Sequence, residues 1–508
     1  MKESSDRPET APPKTGTAYG CTCGVKGPAL SEMLRMTVPS HKACEHFRNG
    51  NLEFLKGVRE LLDHRIETIS TNPDRGTKLK VDSETAFPAN PGMSRAKSQQ
   101  SRSGSRKRVV IIGANFAGLT AAMRLPPDYK VTVLDPSPWF EFLPNIHELV
   151  SGVKSPGSLR LRRERLLQRA GHRFVREAVT AIHPAERRVE IESGASLPFD
   201  ACVVAVGGIN NTFGVPGAAE YGMPFKTVDD CRRIGERLQR LLAGRDPVSV
   251  VIIGGGLEGV ESLGEILRRY RNRRGLTIHL VEANRRLLPG EPSVLDRQIR
   301  RACVSLPVHV QTGQQVKTLA EHEVEITSGV KLASNLTIWT GGAAPPKILT
   351  EAGLTRSKAD WAAVKPTLQS VFFDNVFVIG DAAGLPDPVA KQAYHAMDMG
   401  ACAADNVRAF LSGRALSGFR PSPEITLVSF GDLDTHLIIG GHVVSGSALA
   451  AAKEAVYQVS MARMDPPLDA TSFFQLQNRA WTGAANLFLP VLFSPFSLLR
   501  LANLRIAG

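Results

Sequence analysis

The sequence lacks the features that define several classes of protein. No uninterrupted apolar run among its 508 residues reaches the ~20 residues of a membrane-spanning helix. The polar N-terminus has no apolar core of a secretory signal. Seven cysteines, an odd number, are scattered along the chain, so we expect no disulfide scaffold and favour a reducing compartment. Aromatic residues make up only 6%, and no segment interleaves them with basic residues, so we expect no nucleic-acid partner.

The charge balance is strongly basic. The formal net charge is +13 and the isoelectric point is about 9.5. Because nucleic-acid binding is not indicated, we attribute this excess to an anionic membrane surface or to solubility. At 43% hydrophobic residues, the chain has enough apolar material for several cores.

A glycine turn begins the strongly patterned region of the chain. Residues 108–119, RVVIIGANFAGL, are typical of a buried strand, a tight turn and a helix. Gly113 permits the turn and Gly118 permits close packing, while the helix N-terminus offers free amides to a pyrophosphate. Asp135 ends the next predicted strand, where an acid bonds a ribose hydroxyl. The usual middle glycine is Asn115, which tolerates unusual backbone angles, so we still expect dinucleotide binding.

The same signal recurs in complete form at residues 249–261, SVVIIGGGLEGVE. Its glycines are Gly254, Gly256 and Gly259, and Glu282 ends the following strand. An acid at that position accepts bonds from a 2′-hydroxyl and repels a 2′-phosphate, which favours NADH over NADPH.

A third signal lies at residues 376–383, VFVIGDAA. A buried strand ends at Gly380 and Asp381, and small residues open a helix. Asp381 can accept hydrogen bonds from ribityl hydroxyls, while the helix N-terminus faces a flavin. Strands alternate with helices throughout this region, which predicts an α/β fold with parallel sheets.

Taken together, these motifs resemble the two-dinucleotide-domain flavoproteins, and most closely the type II NADH dehydrogenases and their apoptosis-inducing-factor-like relatives. The resemblance covers about residues 107–412. Four further segments carry it: VVAVGG at 203–208 with Gly207, the Gly-Val-Glu at 259–261, WTGG at 339–342 with Gly341, and WFEFLPNIHELVSG at 139–152 with Pro144.

The resemblance implies FAD and NAD as cofactors. It also implies an NADH dehydrogenase that passes hydride from NADH to FAD and electrons on to a quinone, without pumping protons. By analogy, two Rossmann-like domains are expected, with the NAD domain inserted into the FAD domain. The expected divisions are an N-terminal extension (1–106, mostly disordered, with a helix near 51–70), a first segment of the FAD domain (107–228), the NAD domain (229–345), a second segment of the FAD domain (346–415) and a C-terminal region (416–508).

Three candidate catalytic residues follow from the resemblance. Glu261 corresponds to an acid near the nicotinamide. Residues 391–400, KQAYHAMDMG, depart from the Ala-Gln-x-Ala-x-x-Gln of the family's quinone-facing helix. Tyr394 and His395 could still face the acceptor, and helix packing under the flavin is an equally weighted alternative.

The cysteine pattern limits the chemistry. No Cys-x-x-Cys or Cys-x4-Cys follows the first glycine turn, so disulfide reduction and sulfide oxidation are not expected. Cys202 and Cys303 are interpreted as buried small hydrophobes. No metal site is predicted.

The C-terminal end of the chain has the composition of a membrane-associated segment. Residues 486–508 are apolar but broken by prolines, which favours a segment lying in a membrane interface; packing on the flavin domain or on a second subunit is the alternative. We therefore expect a cytoplasmic protein, peripheral on the inner face of the cell membrane, with a homodimer as an open option.

The basic run at 160–169 is interpreted as a solvated helix face.

Two rival functions remain open from the sequence alone. One is a soluble NAD(P)H-dependent reductase of a small redox protein. The other is a low-turnover redox sensor that binds NADH and FAD.

Overall fold

The computed structural model of the chain describes residues 106–447 and 449–465, together with the backbone of 505–507. The helix expected near 51–70 lies outside the described residues, as does most of the tail expected at 486–508.

The N-terminal half of the described chain begins with alternating strands and helices. In chain order these are β1 (Arg108–Ile112), α1 (Phe116–Arg124), β2 (Lys130–Leu134), β3 (Trp139–Glu141), α2 (Glu148–Ser151), β4 (Arg160–Arg162), α3 (Arg163–Arg169), β5 (Arg173–Val175), β6 (Val179–His183), β7 (Arg188–Ile191), β8 (Ser196–Pro198), β9 (Ala201–Val204) and β10 (Ile209–Asn210). Short 3-10 helices occupy Leu143–Asn145 and Pro156–Leu159.

The same alternation then repeats. In chain order the elements are α4 (Ala218–Tyr221), β11 (Gly222–Pro224), α5 (Val228–Ala243), β12 (Val248–Ile253), α6 (Leu257–Tyr270), β13 (Leu276–Glu282), α7 (Ser293–Ala302), β14 (Val308–Thr312), β15 (Val316–Leu319), β16 (Glu323–Ile326), β17 (Lys331–Ala333), β18 (Leu336–Trp339) and β19 (Ala343–Ala344).

Of the remaining elements, β21 joins the first sheet, and β23 to β26 form a separate antiparallel sheet. They are α8 (Lys347–Glu351), β20 (Ala362–Ala363), β21 (Val376–Val378), a 3-10 helix (Gly380–Ala382), β22 (Ala383–Gly384), α9 (Ala393–Leu411), β23 (Ile425–Phe430), β24 (Asp434–Ile439), β25 (His442–Ser445), α10 (Leu449–Met464) and β26 (Arg505–Ala507).

Two five-stranded parallel sheets form the core of the molecule. Their spatial orders are β21-β9-β1-β2-β5 and β11-β18-β12-β13-β14. Central strands such as β1, β9 and β12 are apolar along most of their length because helices or strands cover both of their faces. The predicted α/β class is confirmed. In each sheet the glycine turn follows the central strand, at the switch point where α/β folds bind ligands.

The second sheet is inserted into the first. β21 rejoins the first sheet beside β9 after all strands of the second sheet have passed. The two chain crossings between the sheets pair with each other, as the antiparallel strands β10 and β19. The indole Nε1 of Trp339 donates to the Asn211 carbonyl at 2.7 Å, which joins the crossings again. The first sheet defines the first domain and the second sheet defines the second domain. The second sheet begins with β11 (Gly222–Pro224), ahead of the start expected at residue 229.

A third unit, the C-terminal domain, consists of the antiparallel sheet β23-β24-β25-β26 and helix α10. It packs on α6 so closely that a Cβ added to Gly431 would lie 2.1 Å from the Gly264 carbonyl oxygen. A bidentate ion pair between Arg271 and Asp432, at 2.5 and 2.9 Å, secures the same contact. Among the residues that the structure describes, no helix has the length and apolarity needed to cross a membrane.

Candidate functional site

The first glycine turn has no room for side chains at its two glycines. Gly113 has a φ of +91°, and a Cβ there would lie 2.3 Å from the Ala205 carbonyl oxygen. A Cβ on Gly118 would lie 1.9 Å from the Gly113 carbonyl oxygen. Since backbone atoms cannot move aside cheaply, only glycine fits at either position. The turn therefore brings the N-terminus of α1 directly against the end of β1.

Asp135 closes this turn from the end of β2. Its Oδ2 accepts from the Ala114 amide and its Oδ1 from the Ser137 amide, both at 2.9 Å. Arg163 forms an ion pair with Asp135 and donates to the Ala114 carbonyl at 2.8 Å. Arg163 is only 4% exposed. The interpretation of residues 160–169 as a solvated helix face holds for Glu164, Arg165, Gln168 and Arg169, which are exposed. It does not hold for Arg163, which is buried and holds the turn.

Asn115, the departure from the usual glycine, has its side chain engaged elsewhere. Its Nδ2 donates to the Glu141 carbonyl at 3.2 Å, and its Oδ1 accepts from the Glu141 amide at 3.0 Å. This reciprocal pair fastens the turn to β3. The φ of Asn115 is −95°, so the position needs no left-handed conformation. The side chain is thus committed to the protein backbone, which is compatible with dinucleotide binding.

The second glycine turn repeats this geometry. Gly254 has a φ of +104°, and its added Cβ would lie 2.6 Å from the Thr340 carbonyl oxygen. A Cβ on Gly259 would lie 1.9 Å from the Gly254 carbonyl oxygen. A Cβ on Gly256, the N-cap of α6, would meet nothing within 4 Å. The open space above Gly256 and the free amides of the first turn of α6 fit a pyrophosphate.

Glu282 holds the second turn as Asp135 holds the first. Its Oε2 accepts from the Gly255 amide at 2.6 Å, and its Oε1 accepts from the Asn284 amide at 2.7 Å. Arg286 donates to three backbone carbonyls of its own loop. Because this guanidinium is already committed, it is poorly placed to offset the preference for a 2′-hydroxyl.

Asp381 is the residue predicted to accept hydrogen bonds from a flavin's ribityl chain. It follows Gly380, whose φ is +66°, in the 3-10 helix after β21. Among the described residues, no hydrogen-bond donor reaches its carboxylate oxygens. Burial raises the pKa of Asp381, against the opposing charges of Lys391 and Lys226. An adjoining cavity of about 590 Å³, lined in part by Trp361, Asp381 and Lys391, offers space for a ligand. The residues present therefore fit FAD.

The remaining predicted cofactor residues border the crossings between the domains or the segment before α2. Gly207 has a φ of +65°, and a Cβ added there would meet nothing within 4 Å. Gly341 follows β18, where an added Cβ would lie 2.6 Å from the Trp339 Nε1. Pro144 lies exposed in the 3-10 helix Leu143–Asn145. Their contacts with a cofactor stay predictions.

Glu261 lies at the meeting point of all three domains. Its Oε1 accepts from Lys453 Nζ of α10 at 2.5 Å and from the Ser429 amide of β23 at 3.1 Å. Its Oε2 lies 3.5 Å from His147 Nδ1. Lys453 Nζ also lies 3.4 Å from His147 Nε2, so the three groups form a closed triangle. Burial raises the pKa of Glu261, while Lys453 opposes that rise.

The triangle has a defined protonation pattern. Burial, together with the charges of Lys453, Arg268 and Lys154, holds the pKa of His147 well below its usual range, so the imidazole is neutral. A lysine ammonium can only donate, so Nε2 of His147 accepts from Lys453. The ring proton is then on Nδ1, which lies 3.5 Å from Oε2 of Glu261.

A second buried ion cluster adjoins this triangle. Lys154 bonds Glu454 of α10 at 2.7 Å, lies 3.5 Å from Glu148 of α2, and sits 4.0 Å from the ring centroid of Tyr457. Burial works against the charge of Lys154, but the two carboxylates raise its pKa. α10 is thus held on the first domain by charge as well as by apolar packing.

Glu265, one turn beyond Glu261 on α6, is fully buried. It bonds the Ser151 hydroxyl and accepts from Arg268 Nε at 3.1 Å. Burial raises its pKa from 4.5 to about 7, with Arg268 opposing the shift.

We expect this acid to make stability depend on pH. Between the unfolded pKa of 4.5 and the folded value of about 7, the folded state keeps a proton that the unfolded state has released. Stability should therefore fall as the pH rises through this window, by up to about 3 kcal/mol. Glu265→Gln stays neutral and should flatten this region of the profile. Urea unfolding of both proteins at several pH values measures it, and parallel profiles would contradict the assignment.

Tyr394 and His395 fasten the start of α9 to the segment leading into β23. The Tyr394 hydroxyl accepts from the Ile425 amide at 3.1 Å. The His395 ring nitrogens lie 2.9 Å from the Ala390 carbonyl oxygen and 3.1 Å from that of Ser422. These contacts favour the packing interpretation for His395, since neither nitrogen remains to face a quinone. An acceptor-facing role for either residue stays a prediction.

Four of the cysteines lie among the described residues. Cys202 and Cys303 are buried and unpaired, and burial raises the pKa of Cys303 to about 11. Cys231 and Cys402 are also free, so no disulfide forms among the described cysteines. Within the described ranges, no group of three His, Cys, Asp or Glu side chains is arranged to hold a metal ion.

Sequence reasoning missed Lys453, Arg163 and His147. Lys453 follows three alanines at the start of α10. A lysine in this apolar stretch was the one sign in the sequence that its charge has a specific role. Arg163 and His147 lay inside segments that were noticed for other reasons. Their roles depend on which distant segments pack against them.

Comparison with known protein families accounts for most of the chain. The family model for pyridine nucleotide-disulphide oxidoreductases matches residues 107–400. A second model, for an uncharacterised protein family, matches residues 29–103.

The alignments with individual relatives span nearly the full length of those relatives. Demethylphylloquinone reductase NdbB of Synechocystis is 26% identical over 374 residues, covering 70% of this chain and 92% of that protein. A type II NADH:quinone oxidoreductase of Staphylococcus aureus is 24% identical over 382 residues, covering 69% and 94%. The solved structure of NDH2 from Plasmodium falciparum with NADH has a TM-score of 0.65 at 16% identity, covering 76% and 97%.

Proposed function

Because the chain belongs to the pyridine nucleotide-disulphide oxidoreductase family, we propose that it is an FAD-dependent NADH dehydrogenase that passes electrons to a quinone without pumping protons. The observation that carries this proposal is the triangle of Glu261, Lys453 and His147, a buried proton-holding group at the junction of the two dinucleotide domains. A disulfide reductase would instead need a cysteine pair, and the described cysteines are unpaired. The names of the relatives, a demethylphylloquinone reductase and NADH:quinone oxidoreductases, support a quinone as acceptor.

The first domain supplies the FAD site. The amides at the start of α1 would bind the pyrophosphate, Asp135 the ribose and Asp381 the ribityl chain. FAD, when bound, supplies the two-electron chemistry that joins a hydride donor to a quinone, and the protein supplies orientation and electrostatics.

The second domain supplies the NADH site. The turn from Gly254 to Gly259 would bind the pyrophosphate, and Glu282 would accept from the ribose 2′-hydroxyl. The two oxygens of Glu282 are already oriented by the amides of Gly255 and Asn284, so the acceptor is pre-positioned. This arrangement supports a preference for NADH over NADPH.

We assign proton exchange to Glu261. Quinone reduction takes up protons as well as electrons, and a group that holds a proton near the working pH serves this purpose. Burial raises the pKa of Glu261 toward that range, and Lys453 limits the rise. The neutral ring of His147 lies beside the carboxylate, with Nδ1 3.5 Å from Oε2. Tyr394 and His395 are assigned to positioning α9 against the acceptor site.

The rival functions make different predictions for the acceptor. We expect NADH oxidation by the purified protein with a water-soluble quinone analogue, and faster turnover in lipid. Rapid turnover with a small iron–sulfur protein, but not with quinone, would instead support a soluble reductase. Flavin reduced by NADH that neither acceptor reoxidises would support a redox sensor.

We further propose that the protein lies on the inner face of the cell membrane, attached through its C-terminal region. α10 exposes an uncharged face made of Ala452, Ala455, Val456 and Val459, with the two valines 55% and 58% exposed. These positions recur at helical spacing and form one stripe. In sequence the apolar tail lies after α10 and includes β26, which pairs with β25 of this domain.

Charged substitutions in the tail should release the protein from membranes. The triple variant Phe488→Asp, Leu492→Asp and Phe496→Asp leaves the sequence of β26 unchanged. We expect the binding of this variant protein to anionic vesicles to fall at least about tenfold, since burying each apolar side chain contributes roughly 1.5–3 kcal/mol. Val330→Asp, which alters an exposed valine of the second domain, serves as the control. Unchanged sedimentation with vesicles would refute the anchor, and conversion of a dimer to a monomer would reassign the tail as a subunit interface.

A further inference from the structure

We propose that Lys226 and Glu258 form an exchangeable ion pair at the NADH site, in which Lys226 transfers from the Glu258 carboxylate to the pyrophosphate when the nucleotide binds. The pair would thereby set the affinity for NADH. This inference rests on the proposed function and adds a binding residue that the glycine motif does not include.

The two residues meet at the entrance to the second domain. Lys226 lies between β11 and α5, in the segment where the chain enters this domain. Glu258 is the second residue of α6, immediately after the N-cap Gly256 and Leu257. Lys226 Nζ lies 2.7 Å and 2.8 Å from the two carboxylate oxygens of Glu258. Their side chains remain 24% and 37% exposed, so a ligand can reach both.

Glu258 occupies a position where a negative charge opposes the function of the turn. The first amides of α6 have no intrahelical partner and carry the positive end of the helix dipole. A carboxylate beside them competes with a pyrophosphate for the same field. In the first turn the corresponding residue is Ala117, which is buried and uncharged. The acid is therefore not a requirement of the turn itself.

A purely structural role accounts poorly for this acid. Acidic residues in a first helical turn stabilise the helix modestly, by about 0.3–1 kcal/mol. Here both oxygens of Glu258 are directed to Lys226, and none accepts from an amide of α6 in the described residues. The phosphate-binding amides thus stay available while Lys226 screens the acid.

The surrounding charges favour transfer of Lys226 to an incoming phosphate. Burial raises the pKa of Glu258, Lys226 lowers it, and the charges of Glu261 and Asp381 raise it. Lys226 also lowers the pKa of Asp381 in the first domain. Lys226 is therefore a cation shared by acids from both domains, and a pyrophosphate brings more negative charge to it than Glu258 alone.

A double-mutant cycle tests the exchange in the full-length, FAD-containing protein. The probe is NAD⁺, and the readout is its dissociation constant by calorimetry, which does not depend on turnover. Lys226→Met leaves Glu258 without a partner beside the phosphate and should weaken NAD⁺ binding about tenfold. Glu258→Gln removes the competitor and should tighten binding severalfold. The dissociation constant of the double variant should lie between those of the two single variants. NAD⁺ binding by Lys226→Met should depend less on salt than binding by the wild type.

The control removes an ion pair of the same length from the β15–β16 hairpin of the same domain. Lys317 and Glu325 lie 2.7 Å apart, and Lys317→Met should leave NAD⁺ binding unchanged. Equal weakening by Lys226→Met and Glu258→Gln would show that the pair only supports the fold, and unchanged binding in both would also overturn the exchange. If the wild-type protein itself fails to bind NAD⁺, the proposed function fails, and that outcome is distinct from either of these.

Discussion

Gly118→Ala should yield a protein that purifies without flavin, while Gly259→Ala should keep its flavin but lose NADH oxidation. In each case the new methyl group would lie 1.9 Å from the carbonyl oxygen of the first glycine of its own turn. Because the obstacle is backbone, the helix must shift away from the strand, and its amides leave the pyrophosphate site. We expect bound flavin below about a tenth of wild type in the first variant, since losing several phosphate contacts costs more than about 1.4 kcal/mol.

The flavin-to-protein absorbance ratio measures the first effect, and the dependence of initial rate on NADH concentration measures the second. Gly157→Ala is the matched control, because a Cβ there meets nothing within 4 Å. Full flavin in Gly118→Ala would contradict the assignment of the first turn to FAD. Loss of flavin from Gly259→Ala instead would reverse the assignment of the two domains.

Lys453→Met should reduce quinone-dependent turnover by about 100-fold, the lower end of what general acid–base groups contribute. Removing the ammonium takes away the counter-charge of Glu261, so the pKa of this carboxyl rises further and it releases its proton less readily. The rate should recover as the pH is raised. NADH binding should change little, because Lys453 belongs to the C-terminal domain and contacts Glu261 and His147.

Breaking a buried ion pair also costs stability, roughly 3–5 kcal/mol, so the activity loss needs a structural control. Lys154→Met breaks the neighbouring pair with Glu454, which holds the same helix. It should lower the unfolding free energy similarly while retaining most of the quinone rate and the wild-type pH profile. Lys453→Arg keeps the charge and should retain more activity than Lys453→Met. Equal losses in Lys154→Met and Lys453→Met would reduce Lys453 to a role in packing.

The two dinucleotide domains could be predicted because their signals are local. The strand, the glycine turn and the acid that ends the next strand all lie within one short βαβ segment, at Gly113 with Asp135 and again at Gly254 with Glu282. The polar ends and apolar centres of these strands follow directly from burial on both faces. The structure adds that Asp135 and Glu282 also close their own turns through the amides of Ala114 and Gly255.

The junction of the three domains could not be predicted in the same way. Glu261 and Lys453 are 192 residues apart in the sequence, and their contact requires the C-terminal sheet to pack against α6. That packing rests on Gly264 and Gly431, whose close approach has no signal in either local segment. The hairpin turn at Gly440 and Gly441 was a usable sign of the C-terminal sheet, since it separates β24 from β25.

The direction of individual side chains could not be predicted either. The expectation that Asn115 is compatible with dinucleotide binding carried no sign that its amide pairs with the backbone of Glu141. Arg163 lies in a basic run, yet it is buried because Asp135 and two carbonyls accept its hydrogen bonds. In both cases the partner lies on a segment that comes close only in the folded protein.

The central claim is tested most directly by anaerobic mixing of the FAD-containing protein with NADH and then with a short-chain quinone, while flavin absorbance is followed. We predict rapid bleaching by NADH and complete recovery on addition of quinone. Bleaching that persists in the presence of quinone, or that only a small redox protein reverses, would contradict the account.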